Sequence, residues 1–251
     1  MNASYGVSRW PNEKEVFEKM ERLVNQPLRH IKPEAMAKYK KYFEEKCKGS
    51  KAMIEQAKKV IPGGVQHNLA FNYPFPLVVE KAEGAYLYDI DGNRYVDYLQ
   101  AGGPTLLGSN YEPVNRKVWE VVKESGPVTG LFHPYEMKLA EKIHECMPWV
   151  EMYRCLASGT EADMVAIRIA RTYTGKQNII KVGGAYHGWS DQLVYSLHIP
   201  YTQTFEAHGI PKEASANTKE FFPGDIDGLR KVLEENEKNG GTAAVIIEPF
   251  G

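Results

Sequence analysis

Cysteine is scarce in this chain, three in 251 residues. Cys47, Cys146 and Cys155 have neither paired nor metal-ligand spacing, so no disulfide framework and no thiolate metal site is expected. Cys155 falls in an apolar stretch and reads as a small core residue. A reducing, cytoplasmic location is the matching expectation. An excess of charge of either sign is also missing: 31 Lys and Arg stand against 32 Asp and Glu, a net charge of −1. Nothing in that balance favours nucleic acid or a membrane surface as partner. No run of roughly 18 apolar residues occurs, so no transmembrane span is indicated. The opening, Met1 to Trp10, lacks the apolar core of a secretory signal. There is no Gly-x-Ser-x-Gly elbow and no Walker-type loop. His67 and His133 lie beside Pro- or Gly-rich turns with no Cys, Asp or Glu at ligand spacing, so a metal site is not expected.

Patterning divides the chain into three stretches. From Pro11 to about Ile61 it is charged and helix-like. Val16, Met20, Leu23 and Val24 recur at helical spacing, as do Met53, Ile54, Ala57 and Val60, and Pro62-Gly63-Gly64 stops the second run. Next, Leu77–Glu80, Ala85–Asp89 and Arg94–Tyr98 alternate apolar and polar residues around Glu83-Gly84 and Asp91-Gly92-Asn93. These are hairpin turn signals, so a small antiparallel meander is expected, with Asp89 and Asp91 as turn formers. Gly102-Gly103-Pro104 reads either as a point of close approach for a substrate or partner or as a simple bend.

From Glu112 onward helical and strand patterns alternate. Helices are expected over 112–124, 134–147, 163–173 and 226–236, and strands over 152–157, 178–182, 192–197 and 243–247. Such alternation indicates βαβ units and a parallel sheet, an α/β fold. Consecutive apolar residues at Val245-Ile246-Ile247 fit a strand covered on both faces. The aperiodic segment 200–223 reads equally as a functional flap or a surface excursion. The domain reading is a helical segment and small sheet lobe over 1–110, followed by the first part of a large α/β domain over 111–251.

Chemistry concentrates at Ala157-Ser158-Gly159-Thr160-Glu161-Ala162. A strand, a glycine turn and a helix start bring free N–H groups together with two hydroxyls, a ready cradle for a phosphate. The same residues fit a capping box, and the two readings are compatible. Gly183-Gly184-Ala185-Tyr186-His187-Gly188 follows the next strand and puts an aromatic ring on a flexible loop at the same end of the sheet. Tyr186 reads as an ordinary loop aromatic or as a stacking ring, and His187 as a hydrogen-bonded structural residue or a pocket residue. Glu248 ends the last strand, where its carboxylate either points into the same crevice or stays in solvent. Together the motifs suggest a flat, phosphorylated cofactor.

At these residues the chain resembles the class III (subgroup II) aminotransferases, enzymes of the PLP-dependent transferase fold type I. It is most similar to the branch of the glutamate-1-semialdehyde aminomutases and β-amino-acid aminotransferases. The resemblance covers about Ile61 to Gly251. It rests on Ile61-Pro62-Gly63-Gly64-Val65, the run Gly84 to Tyr98, Leu107-Gly108, Ala157 to Ala162, Gly184 to Gly188 and Ile247-Glu248-Pro249. It implies pyridoxal 5′-phosphate (PLP) as cofactor, its phosphate held by Ser158, Gly159 and Thr160. Tyr186 would stack on the pyridine ring, His187 would line the pocket, and Glu248 would join the polar shell near the ring. A homodimer is implied, with the charged N-terminal segment, Met1 to about Ser50, covering the partner subunit. The implied activity is amino-group transfer between a small-molecule donor, an amino acid or amine, and an oxo-acid or aldehyde acceptor. The alternatives are an aminomutase or racemase of the same fold, or a non-catalytic PLP-binding fragment.

Three departures from the family pattern bear on this. Gly102 stands where the aminomutases carry a tryptophan, and Ala70 where they carry an arginine for the substrate carboxylate. Loss of a guanidinium removes a bidentate carboxylate clamp. Both changes argue against a glutamate-semialdehyde substrate. The family's aspartate that pairs with the pyridine nitrogen and its Schiff-base lysine come later than the Glu-Pro motif, downstream of Gly251. No lysine here matches that motif, so no catalytic residue is expected in this chain. The expectation is the N-terminal part of a longer enzyme, unable to turn over alone.

Overall fold

The computed structural model describes residues 12–27, 29–125, 130–194 and 209–248. Two compact units result, Pro27–Phe132 on one side and Met1–Gln26 with His133–Gly251 on the other.

In the Pro27–Phe132 unit, α2 (Pro33–Lys46) and α3 (Lys48–Ala57) adjoin a three-stranded antiparallel sheet of β1 (Val79–Glu83), β2 (Tyr86–Asp89) and β3 (Arg94–Val96). The two-residue Gly84-Ala85 loop sets the first hairpin, with Glu83 opposite Tyr86. A register shift between Val79 and Lys81 marks a bulge near the start of β1. The first strand therefore lies at 79–83 rather than over the expected 77–80, because pairing across a short loop overrides the alternation of side chains. The second turn does more than reverse the chain. Asp89 is buried and accepts hydrogen bonds from the Asp91 and Asn93 amides, the Asn93 side chain and the Tyr95 hydroxyl. The Asp91 carboxylate reaches out to α3 and accepts from the Gly49 amide at 2.6 Å and the Ser50 amide at 2.9 Å. It therefore supplies the cap that Cys47, the residue before that helix, cannot. Helix α4 (Glu112–Ser125) completes the unit.

The other unit holds α1 (Glu13–Val24), α5 (Pro134–Cys146), α6 (Gly159–Thr174) and α7 (Ile226–Glu237) with a parallel sheet in the order β5-β4-β6. Its strands are β4 (Asn178–Val182), β5 (Thr218–Phe221) and β6 (Thr242–Ile246). Central β4 is buried from Asn178 to Lys181, and Ile179 packs with Ile167 of α6 and Leu193. Ala244 and Ile246 of β6 close that cluster. Helix α6 stops at Gly175, whose φ of 68° gives the left-handed turn that ends a helix, and β4 begins three residues later. Running back along the sheet, α6 must start near the carboxyl end of β4, the ligand edge of a parallel sheet.

Several expectations fail here. Residues 152–157 form no strand. Met152 is 93% exposed and Cys155 is exposed rather than a core residue. Apolar composition makes a strand only where a ladder partner takes its backbone groups, and no described neighbour does so. The helix after it begins at Gly159, four residues before the expected Asp163, because Ser158 caps it. In the expected strand 192–197, Gln192–Val194 are turn and bend, while 195–197 lie outside the described residues. Within the aperiodic segment, Thr218–Phe221 is strand β5, paired with β4 from Ile179↔Thr218 to Val182↔Phe221, and 200–208 lie outside the described residues. The expectations for Met1 to Trp10, Pro11, Pro249 and Gly251 also fall outside them.

Candidate functional site

Every residue read from the sequence as a site residue lies in the unit that carries the parallel sheet. Ser158, extended at φ −149° and ψ 160°, opens α6. Its Oγ accepts from the Glu161 amide at 3.3 Å and donates to the Glu161 carboxylate at 3.1 Å. The capping reading is thus realised with one change, since the carboxylate takes the Ser158 hydroxyl and not its amide. The amides of Gly159 and Thr160, in the first helical turn, have no intrahelical acceptor and carry the positive end of the helix dipole.

The Tyr186-His187 loop leaves the carboxyl end of β4 and meets this helix start. Gly188 has a φ of 81°, and a β-carbon built on it would lie 2.9 Å from both Cα and Cβ of Thr160. Only a residue without a side chain lets the loop settle against Thr160. This contact joins the two sequence motifs into one site. Tyr186 is 58% exposed, while His187 is 6% exposed. The Nε2 of His187 is buried with no hydrogen-bond partner among the described residues. Burial pushes the His187 pKa down, helped by the Lys181 charge and opposed by Asp163 and Glu248. Burial likewise raises the Asp163 carboxyl, against the pull of His187. In both groups desolvation outweighs their mutual attraction. Glu248 is exposed just past β6, close enough for its charge to act on His187.

Lys181 is fully buried on β4, and its Nζ donates to the Leu193 carbonyl at 3.0 Å. Burial lowers its pKa, and Glu220 on the neighbouring strand opposes this. It braces the segment that follows the Tyr186 loop.

A cavity of about 780 Å³ opens beside the helix start. Ser158 and Thr160 bring hydroxyls to it, Met164 and Trp189 apolar surface, and Glu161 and Asp191 carboxylates. The chemistry suits an anion held by amides and hydroxyls at one end with an apolar body beside it. The two carboxylates oppose an anion, and the helix dipole with its two open amides counters them. Ser190, Asp163 and Trp189 escape sequence reading, although a signal for each is present. Asp163 lies one turn beyond Thr160 on the same helix, and Trp189 and Ser190 directly follow Gly188.

Known proteins match this chain over most of its length. The family model for class-III aminotransferases matches residues 69–251. A glutamate-1-semialdehyde 2,1-aminomutase of Methanothrix thermoacetophila is 39% identical over 202 residues, covering 80% of this chain and 46% of that protein. Among solved structures, an omega-transaminase from Sphaerobacter thermophilus superposes with a TM-score of 0.73 at 28% identity, over 80% of this chain and 47% of that one. A transaminase with PLP bound gives a TM-score of 0.74 at 29% identity, over 81% and 47%. The chain thus spans just under half the length of the curated relatives it matches. Its α/β architecture is the one expected from the sequence, and the chain belongs to the class-III aminotransferase family.

Proposed function

We propose that this chain forms the cofactor-phosphate part of a PLP-dependent aminotransferase. The reaction moves an amino group between an amino acid or amine and an oxo-acid or aldehyde. The observation that carries this reading is the packing of Gly188 on Thr160, which sets the hydroxyl-and-amide cradle beside the Tyr186-His187 loop. A group with a phosphate at one end and a flat ring at the other fits that arrangement, and PLP has this shape. Bound PLP would supply a ring that draws electrons from the amine-bearing carbon of the substrate. Ser158, Gly159 and Thr160 hold the phosphate by hydroxyls and amides. Tyr186 covers the ring face. His187, kept neutral by burial, and Glu248 contribute to the polar shell near the ring. In the whole protein we expect a homodimer in a reducing cytoplasm, which three free cysteines suit.

An intramolecular aminomutase is the second reading, favoured by the name of the 39%-identical curated relative. The two separate on a second substrate, since a transferase stalls without an acceptor and a mutase does not. The cradle itself is tested by equilibrium dialysis of PLP against the chain and its Thr160→Ala variant. A hydrogen bond to a charged group is worth about 1.5–3 kcal/mol, so affinity should fall roughly tenfold or more. Equal affinities would sink the cradle reading.

A further inference from the structure

Lys181 lies on the core face of the parallel sheet, where a lysine is costly. Side chains alternate along β4, so Lys181 shares a face with Ile179, whose neighbours are Ile167 and Leu193. Lys181 and Ile179 are both fully buried. An ammonium there gives up its water, a loss that an apolar side chain of the same length avoids. Two groups offset that loss. The Lys181 Nζ donates to the Leu193 carbonyl at 3.0 Å, and Glu220, its register partner on β5, supplies an opposite charge. Resting on the cofactor reading above, we infer that Lys181 is a positioning residue, whose hold on Leu193 closes the Tyr186-His187 loop and sets Tyr186 for the cofactor ring.

The loop is tied where it leaves the sheet, in its middle and where it returns. At its start the Gly183 amide donates to the Phe221 carbonyl at 2.9 Å, and the Ala185 amide to the Val182 carbonyl at 3.1 Å. In its middle Gly188 is seated against Thr160. On the return, the Ser190 carbonyl accepts from the Leu193 amide at 2.8 Å and the Val194 amide at 2.9 Å, which makes a turn. Lys181 binds the Leu193 carbonyl of that turn, so the strand that sends the loop out also draws it back. Gln192 fixes the same turn to β5 and α6, its carbonyl accepting from the Thr218 hydroxyl at 2.8 Å and its side chain from Arg171 at 2.9 Å. Tyr186 is itself exposed, so its placement comes from these backbone ties more than from packing of its own ring. A ring placed before the ligand arrives has less freedom to lose on binding.

The end of the ligand that suffers distinguishes this role from a structural one. A lysine that merely held the fold would weaken every part of the site when removed. A positioning role touches the ring end alone, because the phosphate end is built on α6. The test uses the full chain as wild type, Lys181→Met and the double variant Lys181→Met/Glu220→Gln. Methionine keeps the apolar stem and drops the donor, and the second change leaves no carboxylate facing a missing charge. Urea midpoints are measured without ligand. Dialysis measures binding of PLP, of pyridoxal lacking the phosphate, and of inorganic phosphate as competitor, with Tyr186→Ala as the reference for loss of the ring contact.

Wild type should bind PLP more tightly than inorganic phosphate. An aromatic contact is worth a factor of about three to ten in affinity, so both Lys181 variants should lose that much toward PLP and pyridoxal and nothing toward phosphate. Tyr186→Ala should lose a similar factor, and adding Lys181→Met to it should cost little more, since both act through one ring. If Tyr186→Ala weakens PLP binding and the Lys181 variants do not, this inference is overturned and the cofactor reading stands. Phosphate affinity lost alongside that for PLP, losses that add in full, or Lys181 variants that no longer unfold cooperatively in urea overturn it as well, since each marks a structural lysine. If wild type binds PLP no better than phosphate, or Tyr186→Ala changes nothing, the ring reading and this inference fall together.

Discussion

His187 shows how a single buried side chain ties the site to pH. Its neutral form is favoured in the folded unit, because burial and the Lys181 charge both oppose the proton. The unfolded chain takes that proton at the ordinary histidine value of about 6.5, above the folded value. Unfolding therefore binds a proton between those two values, and stability drops as pH falls through that window. Above 6.5 the full contribution of neutral His187 is present. The raised Asp163 carboxyl has the opposite sign, favouring the fold as pH falls toward the ordinary aspartate range. A His187→Asn variant isolates the first effect. The stability advantage of wild type over the variant, read from thermal midpoints, should narrow between pH 7 and pH 5. Parallel curves would rule out a lowered histidine pKa. At this scale Ser158, Thr160, Tyr186 and His187 were legible because each sits in a short run of unusual composition. Ser190 and Asp163 adjoin those runs, but how far each is buried depends on neighbours far along the chain and is not legible in them.

At the scale of elements, a turn can serve a helix remote from it in sequence. Asp91 reads as a turn former, yet its carboxylate caps the first turn of α3, more than 40 residues away. The Ser50 hydroxyl adds a third bond to it at 3.1 Å. Asp91→Ala should cost about 1–2 kcal/mol, the usual worth of a lost cap, with the Gly92 turn otherwise able to form. Urea titration followed by circular dichroism would measure it, and a change below a few tenths would mean that the cap is replaceable. The two sheets differ in legibility for a related reason. The meander is announced by its glycine turns and local pairing. The parallel sheet depends on contacts between distant strands, so β5, a polar Thr-Lys-Glu-Phe segment, passes for a loop until β4 pairs with it. Residues 152–157 fail the other way, apolar in sequence but without a ladder.

For the whole molecule, the exposed face of α4 bears on the proposed homodimer. Val114, Val118 and Val122 recur at helical spacing, Trp119 adjoins them, and all four are exposed, Trp119 by 73%. An apolar stripe of that kind suits an interface between subunits. Sedimentation equilibrium of the native protein should report a dimer, and Val118→Asp should shift it toward monomer. A wild-type monomer at micromolar concentration would remove the dimer proposal, and a dimer unaffected by Val118→Asp would move the interface elsewhere. By itself the sequence determined the α/β class, the meander, the family and the two motifs of the site. Those follow from local rules: the period of apolar residues, glycine where the backbone turns left-handed, and a capping serine before a helix. Only the tertiary structure decided that Thr160 and Gly188 touch, that β5 is a strand and 152–157 is not, and that the His187 Nε2 and the Ser190 hydroxyl oxygen are buried with no hydrogen-bond partner among the described residues. Each of these depends on which distant backbone and side-chain groups meet, and desolvation and hydrogen-bond satisfaction are settled only by such meetings.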